Sequence, residues 1–231
     1  MQKILYLKQY NFVKVEIALN KIMQNLFLSI FAGISIALGG LLFLLIPNSV
    51  VGAIFFSVGL FLVLTRGYNL FTGKVAYLPE NKKIPYLSYL FVMWIGNFIG
   101  TITITFAVRF SSLYEKVFER VNSININKTS QGHLSAFILA ILCGIIIYLA
   151  VENFKNNSHE IGKYIGIFVL IPLFIICGFE HCVADMFYFS LTNDLIIDKL
   201  IYLFVITMGN SIGSIVSNLL LKNNKLFKAN S

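Results

Sequence analysis

The sequence predicts an all-α membrane protein with six transmembrane helices in one domain. Its residues are 58% hydrophobic and only 12% charged, and its mean hydropathy is +0.81. Such a composition excludes an ordinary soluble domain. Six apolar stretches are each long enough to cross about 30 Å of hydrocarbon, which takes about 20 residues. They cover roughly 24–46, 50–73, 87–109, 132–151, 164–191 and 199–221.

The distribution of Lys and Arg predicts the orientation of these spans. If both termini are cytoplasmic, twelve cations lie on inner segments and five on outer loops, as the positive-inside rule requires. We therefore expect a multi-pass protein of the plasma (inner) membrane with both termini in the cytoplasm. The net charge of +8 is then a topology signal and gives no reason to expect a nucleic-acid partner. The expected surroundings are the lipid bilayer.

The segments outside the spans suggest how the single domain, 1–231, is divided. Residues 1–22 mix lysines with apolar positions, as an interfacial cytoplasmic helix does, and no cleavable signal peptide is evident. The first half of the domain covers 24–109, the second half 132–221, and residues 222–231 form a cytoplasmic tail. The three cysteines all fall within spans and suggest neither a disulfide framework nor a metal site.

A short internal repeat links the third and sixth spans. Gly96 and Asn97 begin a Gly-Asn-x-Ile-Gly motif that recurs at Gly209 and Asn210, an offset of 113 residues (209 − 96). Each half holds three spans, an odd number, so the halves cross in opposite directions and form an inverted 3+3 repeat. The alternative is that both motifs are close-packing glycines at unrelated helix contacts.

The middle span of each half contains a polar, glycine-bearing run inside apolar flanks. In the second span the run is 65–73, which includes Asn69, and in the fifth it is 178–182. Both are typical of broken helices, because unwound backbone is tolerated at membrane depth only where protein or water satisfies it. Breaks at matching positions of two halves predict a binding site near the midplane.

Titratable side chains lie in the fifth span. Glu180, His181 and Asp185 stand within an apolar stretch, where a charge costs at least roughly 2.5 to 3.5 kcal/mol, so such groups normally face a cavity or a transport path. Imidazole is the side chain that most readily changes charge near neutral pH. The alternative role for His181 is a structural hydrogen bond between helices.

The motifs in this order resemble the formate/nitrite transporter family, over nearly the whole chain. They are Leu70-Phe71-Thr72-Gly73, Gly96-Asn97, Gly178-Phe179-Glu180-His181 followed by Ala184 and Met186, and Gly209-Asn210. The resemblance implies a homopentamer in which each aquaporin-like protomer has its own pore. It also implies a central chamber that His181 and Thr72 face, with Glu180 and Asn69 on the same path.

The resemblance further implies two apolar constrictions and a charged vestibule. Phe56 and Phe174 would close the chamber toward the outside, and Lys128 would lie in the outer vestibule. The inner constriction would consist of Leu60, Leu70 and Phe71.

Three residues depart from the family pattern. Asp185 and Gly144 stand where relatives usually have Asn, and Arg66 replaces a small or apolar residue. Because an unpaired intramembrane charge is costly, we expect Arg66 to pair with Asp185 or Glu180.

The resemblance implies a channel or transporter for formate, nitrite or hydrosulfide, with no cofactor. An apolar ring selects against charge, so we expect these weak acids to cross in their neutral form. A channel for neutral solutes such as water or glycerol is the alternative, and a membrane scaffold or sensor is a third. An enzyme is not expected, because no His-Glu-x-x-His, Gly-x-Ser-x-Gly or phosphate-loop motif occurs.

Overall fold

A computed structural model describes residues 2–192 and 196–223, and these residues form helices and short connections without β-strands. The helices are α1 Gln2–Leu45, α2 Ser49–Arg66, α3 Phe71–Lys74, a 3₁₀ helix Val75–Glu80, α4 Lys83–Arg109, α5 Leu113–Ser130, α6 His133–Asn156, α7 Glu160–Ile176, α8 Cys182–Leu191 and α9 Ile196–Asn223.

Five segments of the described chain are helical, long and apolar enough to cross a membrane. They are Leu19–Leu45, Ser49–Arg66, Lys83–Arg109, His133–Asn156 and Ile197–Lys222. The fifth predicted span, 164–191, is divided between α7 and α8 by the connection 177–181. The prediction of an all-helical protein that crosses the membrane several times is therefore confirmed.

The predicted N-terminal segment can be compared with the structure, whereas most of the predicted C-terminal tail cannot. Helix α1 runs without interruption from Gln2 to Leu45, so the segment predicted to lie in the interface continues directly into the first span. The predicted tail, 222–231, lies almost entirely outside the described residues.

Residues 110–131 lie between the third and fourth predicted spans, where an outer loop is expected, but most of them form helix α5. Val117, Val121 and Asn125 lie on one face of α5 at helical spacing and are buried. The amide of Asn125 donates to the carbonyl oxygen of Tyr188 and to the hydroxyl of Thr192, both at 2.8 Å, and so fixes α5 against α8. Helix α5 does not look like a membrane span, because it is weakly hydrophobic and contains three Lys or Arg side chains. Its sequence signal is the spacing of four residues between the buried Val117, Val121 and Asn125.

Each half packs its first helix tightly against its last. In the first half, a Cβ at Gly33 on α1 would lie 2.1 Å from the carbonyl oxygen of Asn97 on α4. In the second half, a Cβ at Gly144 on α6 would lie 2.3 Å from the carbonyl oxygen of Asn210 on α9. Such distances are far below van der Waals contact, so only glycine permits either approach. Gly144 thus has a packing role that mirrors that of Gly33.

Replacing either packing glycine by alanine is expected to separate the helix pair. Gly33→Ala and Gly144→Ala should each cost at least about 1 to 3 kcal/mol, the range for overpacking, because backbone atoms must move. Thermal unfolding of the purified protein in detergent measures this. The matched control is Gly73→Ala, whose added Cβ meets its nearest neighbour at an ordinary 3.5 Å. Equal melting temperatures for all three variants and the parent would contradict the packing argument.

Candidate substrate path at the two helix breaks

Two helices end at matching glycines. Helix α2 is followed by Gly67 and α7 by Gly178, each with φ of 68°, at an offset of 111 residues (178 − 67). Glycine adopts this left-handed conformation without strain. In both breaks the next residue closes the last turn: Tyr68 N–H donates to Val63 and Phe179 N–H donates to Phe174, both at 2.9 Å.

One buried asparagine holds the chain after the first break. Asn97 on α4 accepts a hydrogen bond from the backbone N–H of Phe71 at 2.9 Å. Its amide donates to the carbonyl oxygens of Asn69 at 2.9 Å and Ser29 at 2.8 Å. Backbone groups that the break removes from the helix are thereby satisfied, as an apolar environment demands.

The second break is held in the same way. Asn210 on α9 accepts from the N–H of Cys182 at 2.9 Å and donates to the carbonyl oxygens of Glu180 and Ala140, both at 2.8 Å. The two asparagines therefore bind residues 69 and 71 in one half and 180 and 182 in the other, again 111 apart (180 − 69). The repeated Gly-Asn pair thus serves both packing and backbone support.

The two breaks meet at Thr72 and His181. Thr72 Oγ1 lies 2.9 Å from His181 Nε2, and both side chains are almost fully buried. His181 is also the N-cap of α8, where its Nδ1 accepts the backbone N–H of Ala184 at 3.2 Å. Because Nδ1 is an acceptor, the neutral ring carries its hydrogen on Nε2 and donates it to Thr72. The Thr72 hydroxyl hydrogen is then left to donate to another acceptor.

Two phenylalanines adjoin this pair. The Phe56 and Phe174 rings pack edge to face with centroids 5.9 Å apart, and the Phe174 ring is also 5.9 Å from the imidazole of His181. Both phenylalanines are buried. They line a cavity of about 260 Å³, together with His181, Lys128 and Glu180. We call it the Lys128 cavity.

A second cavity lies on the opposite side of the same region. It has a volume of about 140 Å³ and is lined by Leu60, Leu70, Lys74 and Lys155, among others. We call it the Lys155 cavity. Of the predicted inner constriction, Leu60 and Leu70 border this cavity, whereas Phe71 is buried beside them without lining it.

Lys128 is the partner of the buried carboxylates, which corrects the predicted pairing with Arg66. The Lys128 ammonium forms a hydrogen-bonded ion pair with Glu180 and lies 3.0 Å from Asp185 Oδ1. Gln131 donates a further hydrogen bond to Glu180 at 2.6 Å. Arg66 is exposed at the end of α2. The predicted pairing was wrong because α5 was not predicted, and α5 is the helix that places Lys128 beside Glu180 in the second break.

Asn69 does not lie beside the other predicted path residues. Its side-chain amide donates to Asn25 on α1 at 2.9 Å, and it borders a groove between α1 and α4. Asn69 occupies the position in the first break that Glu180 occupies in the second. At this position the first half has a neutral side chain that binds α1, and the second half has a charged side chain that binds Lys128. Within residues 2–192 and 196–223, no three His, Cys, Asp or Glu side chains converge as metal ligands would.

Apolar helices around buried polar side chains and flanking cavities define a polytopic membrane protein of the transporter or channel class. The chain belongs to the formate/nitrite transporter family, because the model of that family matches residues 7–224. The predicted membership is confirmed. Since its relatives are transporters and channels, the expectation that the chain is not an enzyme is confirmed as well.

Individual relatives are similar at modest identity. A formate-nitrite transporter of Plasmodium knowlesi is 30% identical over 151 residues, which cover 59% of this chain and 48% of the relative. A formate channel of Bacillus thuringiensis is 33% identical over 150 residues, covering 62% and 58% of the two chains. The formate channel FocA of Haemophilus influenzae is 29% identical over 150 residues, covering 61% and 52%. The chain spans about half the length of the curated relatives it matches.

Two solved structures share the fold. An ion channel of this family aligns with a TM-score of 0.77 at 24% identity, covering 86% of this chain and 88% of the other. A pentameric formate channel with formate bound aligns with a TM-score of 0.72 at 23% identity, covering 91% and 98%.

Removing the Asn210 side chain is expected to loosen the second break. Asn210→Ala leaves the Cys182 N–H and the Glu180 carbonyl without their partner, which should destabilise the protein by roughly 2 kcal/mol or more, since each buried orphan costs about 1 kcal/mol or more. The measurement is thermal unfolding in detergent. Asn81→Ala is the control, because that exposed side chain only donates to the carbonyl oxygen of Tyr77. Equal losses for both variants would contradict the role assigned to Asn210.

Proposed function

We propose that this protein carries small monovalent weak acids, namely formate, nitrite or hydrosulfide, across the plasma (inner) membrane. The permeant passes the apolar constriction as the neutral acid. The observation that supports this most directly is the His181 imidazole, hydrogen-bonded to Thr72 and packed against Phe174 where the two helix breaks meet. Family membership supplies the class of substrate.

The phenylalanine pair supports the neutral form of the permeant. Two aromatic rings in edge-to-face contact offer no hydrogen bond that would replace the water around an anion. Burying an isolated charge costs far more than burying a neutral hydrogen-bonded group. An ion therefore has to lose its charge before it passes between Phe56 and Phe174.

His181 and Thr72 support a site that binds oxygen or sulfur acceptors. The ring donates from Nε2, and the Thr72 hydroxyl has a hydrogen left to donate. A small acid with one or two acceptor atoms, placed between them, regains hydrogen bonds that it lost with its water. Because Nδ1 is engaged by the Ala184 N–H, protonation of the ring would break the cap of α8, so the ring acts as a neutral donor.

The charges at the Lys155 cavity support attraction of anions on the predicted cytoplasmic side. Lys74 and Lys155 both line this cavity next to the apolar Leu60 and Leu70. Low-dielectric walls concentrate the field of such cations and raise the local concentration of an anion. The anion can take up or release its proton there.

The proposed architecture is six crossings with broken second and fifth helices and an inverted repeat. The pairs α2 with α3 and α7 with α8 form the broken crossings, and the common offset of 111 residues supports the repeat. We propose a homopentamer of aquaporin-like protomers, each with its own path and both termini cytoplasmic, because a channel of the same fold is a pentamer with formate bound.

Substitution of His181 is expected to change weak-acid flux. In proteoliposomes the parent should pass formate, nitrite or hydrosulfide faster than chloride and glycerol. His181→Asn should lower the rate at least roughly tenfold, because the shorter amide cannot place a donor where Nε2 lies, and loss of one donor in a dry site costs about 1.5 to 3 kcal/mol. His159→Asn is the control, since exposed His159 precedes α7 without capping it. Glycerol uptake without weak-acid flux would favour the neutral-solute channel, and no effect of His181→Asn would contradict the assigned role.

Shortening Phe174 is expected to weaken selectivity. Phe174→Ala opens the ring pair to water, so chloride should begin to pass and the ratio of formate to chloride rates should fall at least roughly tenfold. The readout is initial uptake of both anions. Phe168→Ala on the same helix removes a partly exposed ring and is the matched control. An unchanged ratio in Phe174→Ala would show that the ring pair does not select.

A further inference from the structure

The charges at the Lys128 cavity do not balance. Lys128 is the cation, and Glu180 and Asp185 are the anions, so the fully ionised cluster has a net charge of −1. The carboxylates are almost completely buried, with side chains 2% and 1% exposed. A net negative charge in the Lys128 cavity repels the anions that the proposed function brings into it. An Asn in place of Asp185 would leave the cluster neutral.

The two carboxylates are also held differently. Glu180 has hydrogen bonds from both Lys128 and Gln131. Asp185 lies 3.0 Å from the Lys128 ammonium but outside hydrogen-bond geometry, and neither of its oxygens has a hydrogen-bond partner among the described residues. Asp185 lines the cavity beside Glu180 and His181. Oδ2 of Asp185, which has no hydrogen-bond partner among the described residues, can carry one hydrogen.

Among the described residues, Lys128 is the cation that pairs with Asp185, and Arg120 on the same helix lies near Tyr188. Titratable side chains near it come from α5, α6, the second break and α8 itself. They are Lys128, Cys143, Glu180, His181, Cys182 and Tyr188. Lys128 is the one cation in this group, and it is already bound to Glu180.

We infer that Asp185 is a proton-binding site whose occupancy controls the entry of anions into the Lys128 cavity. This inference rests on the proposed function. With a proton on Asp185 the cluster is neutral and an anion can approach Lys128. Without the proton the cluster is negative and repels the anion.

Asp185 controls the approach of the anion and does not supply its proton. The permeant is protonated by external water: an O–H bond of hydronium breaks, its electron pair stays on the water, and an O–H or S–H bond forms on the anion. The neutral acid then moves between Phe56 and Phe174, so one proton enters with each anion.

The test compares Asp185→Asn with the parent in proteoliposomes at two external pH values. At about pH 5 a protonated Asp and an Asn are alike, so formate uptake by the two should be equal. At about pH 8.5 the variant should be at least roughly tenfold faster, because one unit of buried negative charge a few ångströms away has been removed. Asp198→Asn, at an exposed position of α9, should match the parent at both pH values.

The outcomes separate this inference from the proposed function. If the parent passes none of formate, nitrite and hydrosulfide, the proposed function fails. If the parent passes one of them but the ratio of variant to parent rates is the same at both pH values, only the role of Asp185 fails.

A measurement on the parent alone serves if Asp185→Asn does not assemble. Raising potassium gluconate from about 20 mM to 500 mM weakens the field of the cluster where it reaches the water in the cavity, so formate uptake should rise at pH 8.5 and stay unchanged at pH 5; the rise is smaller than for exposed charges, because buried charges are screened less. An equal response at both pH values would overturn the inference.

Discussion

The structure depends on satisfying peptide groups where two helices are broken inside apolar surroundings. Each break frees N–H and C=O groups that neither lipid nor a neighbouring turn can bind. Asn97 and Asn210 meet this requirement with one acceptor and two donors each. Gly33 and Gly144 allow the supporting helices to come close enough for those bonds to form. This backbone support holds the two breaks beside each other, where Thr72 and His181 meet.

The chemistry of the path comes from departures from the repeat. An offset of 111 residues aligns Leu70 with His181 and Thr72 with Val183, so each half contributes one polar side chain to the shared site. A strictly symmetric pair of breaks would supply two leucines or two imidazoles. The same comparison sets Asn69, which binds α1, against Glu180, which binds Lys128. The same kind of backbone support therefore holds a neutral pair of amides, Asn69 with Asn25, at the first break and a charged pair, Glu180 with Lys128, at the second.

The sequence predicted the parts of the fold that composition and repetition encode. All-helical spans follow from hydropathy, and the family follows from motifs such as Gly178-Phe179-Glu180-His181. Helix α5 was missed because its polar, charged sequence does not resemble a span, although Val117 and Val121 mark its buried face. The predicted pairing of Arg66 with Asp185 or Glu180 was wrong for the same reason, because the ion pair between Lys128 and Glu180 depends on the position of α5. Contacts between side chains on different helices depend on how the helices pack, which the sequence pattern of each helix does not give.

The central claim is that the permeant crosses the Phe56–Phe174 contact without charge. Its most direct test is the initial uptake of formate, or of the anion that is passed fastest, into proteoliposomes whose potential is clamped with valinomycin and potassium. A charged permeant would gain or lose about 2.3 kcal/mol per 100 mV, a severalfold or larger change in rate. The account predicts the same rate at about +100 mV, zero and −100 mV. A rate that follows the sign of the potential would contradict it.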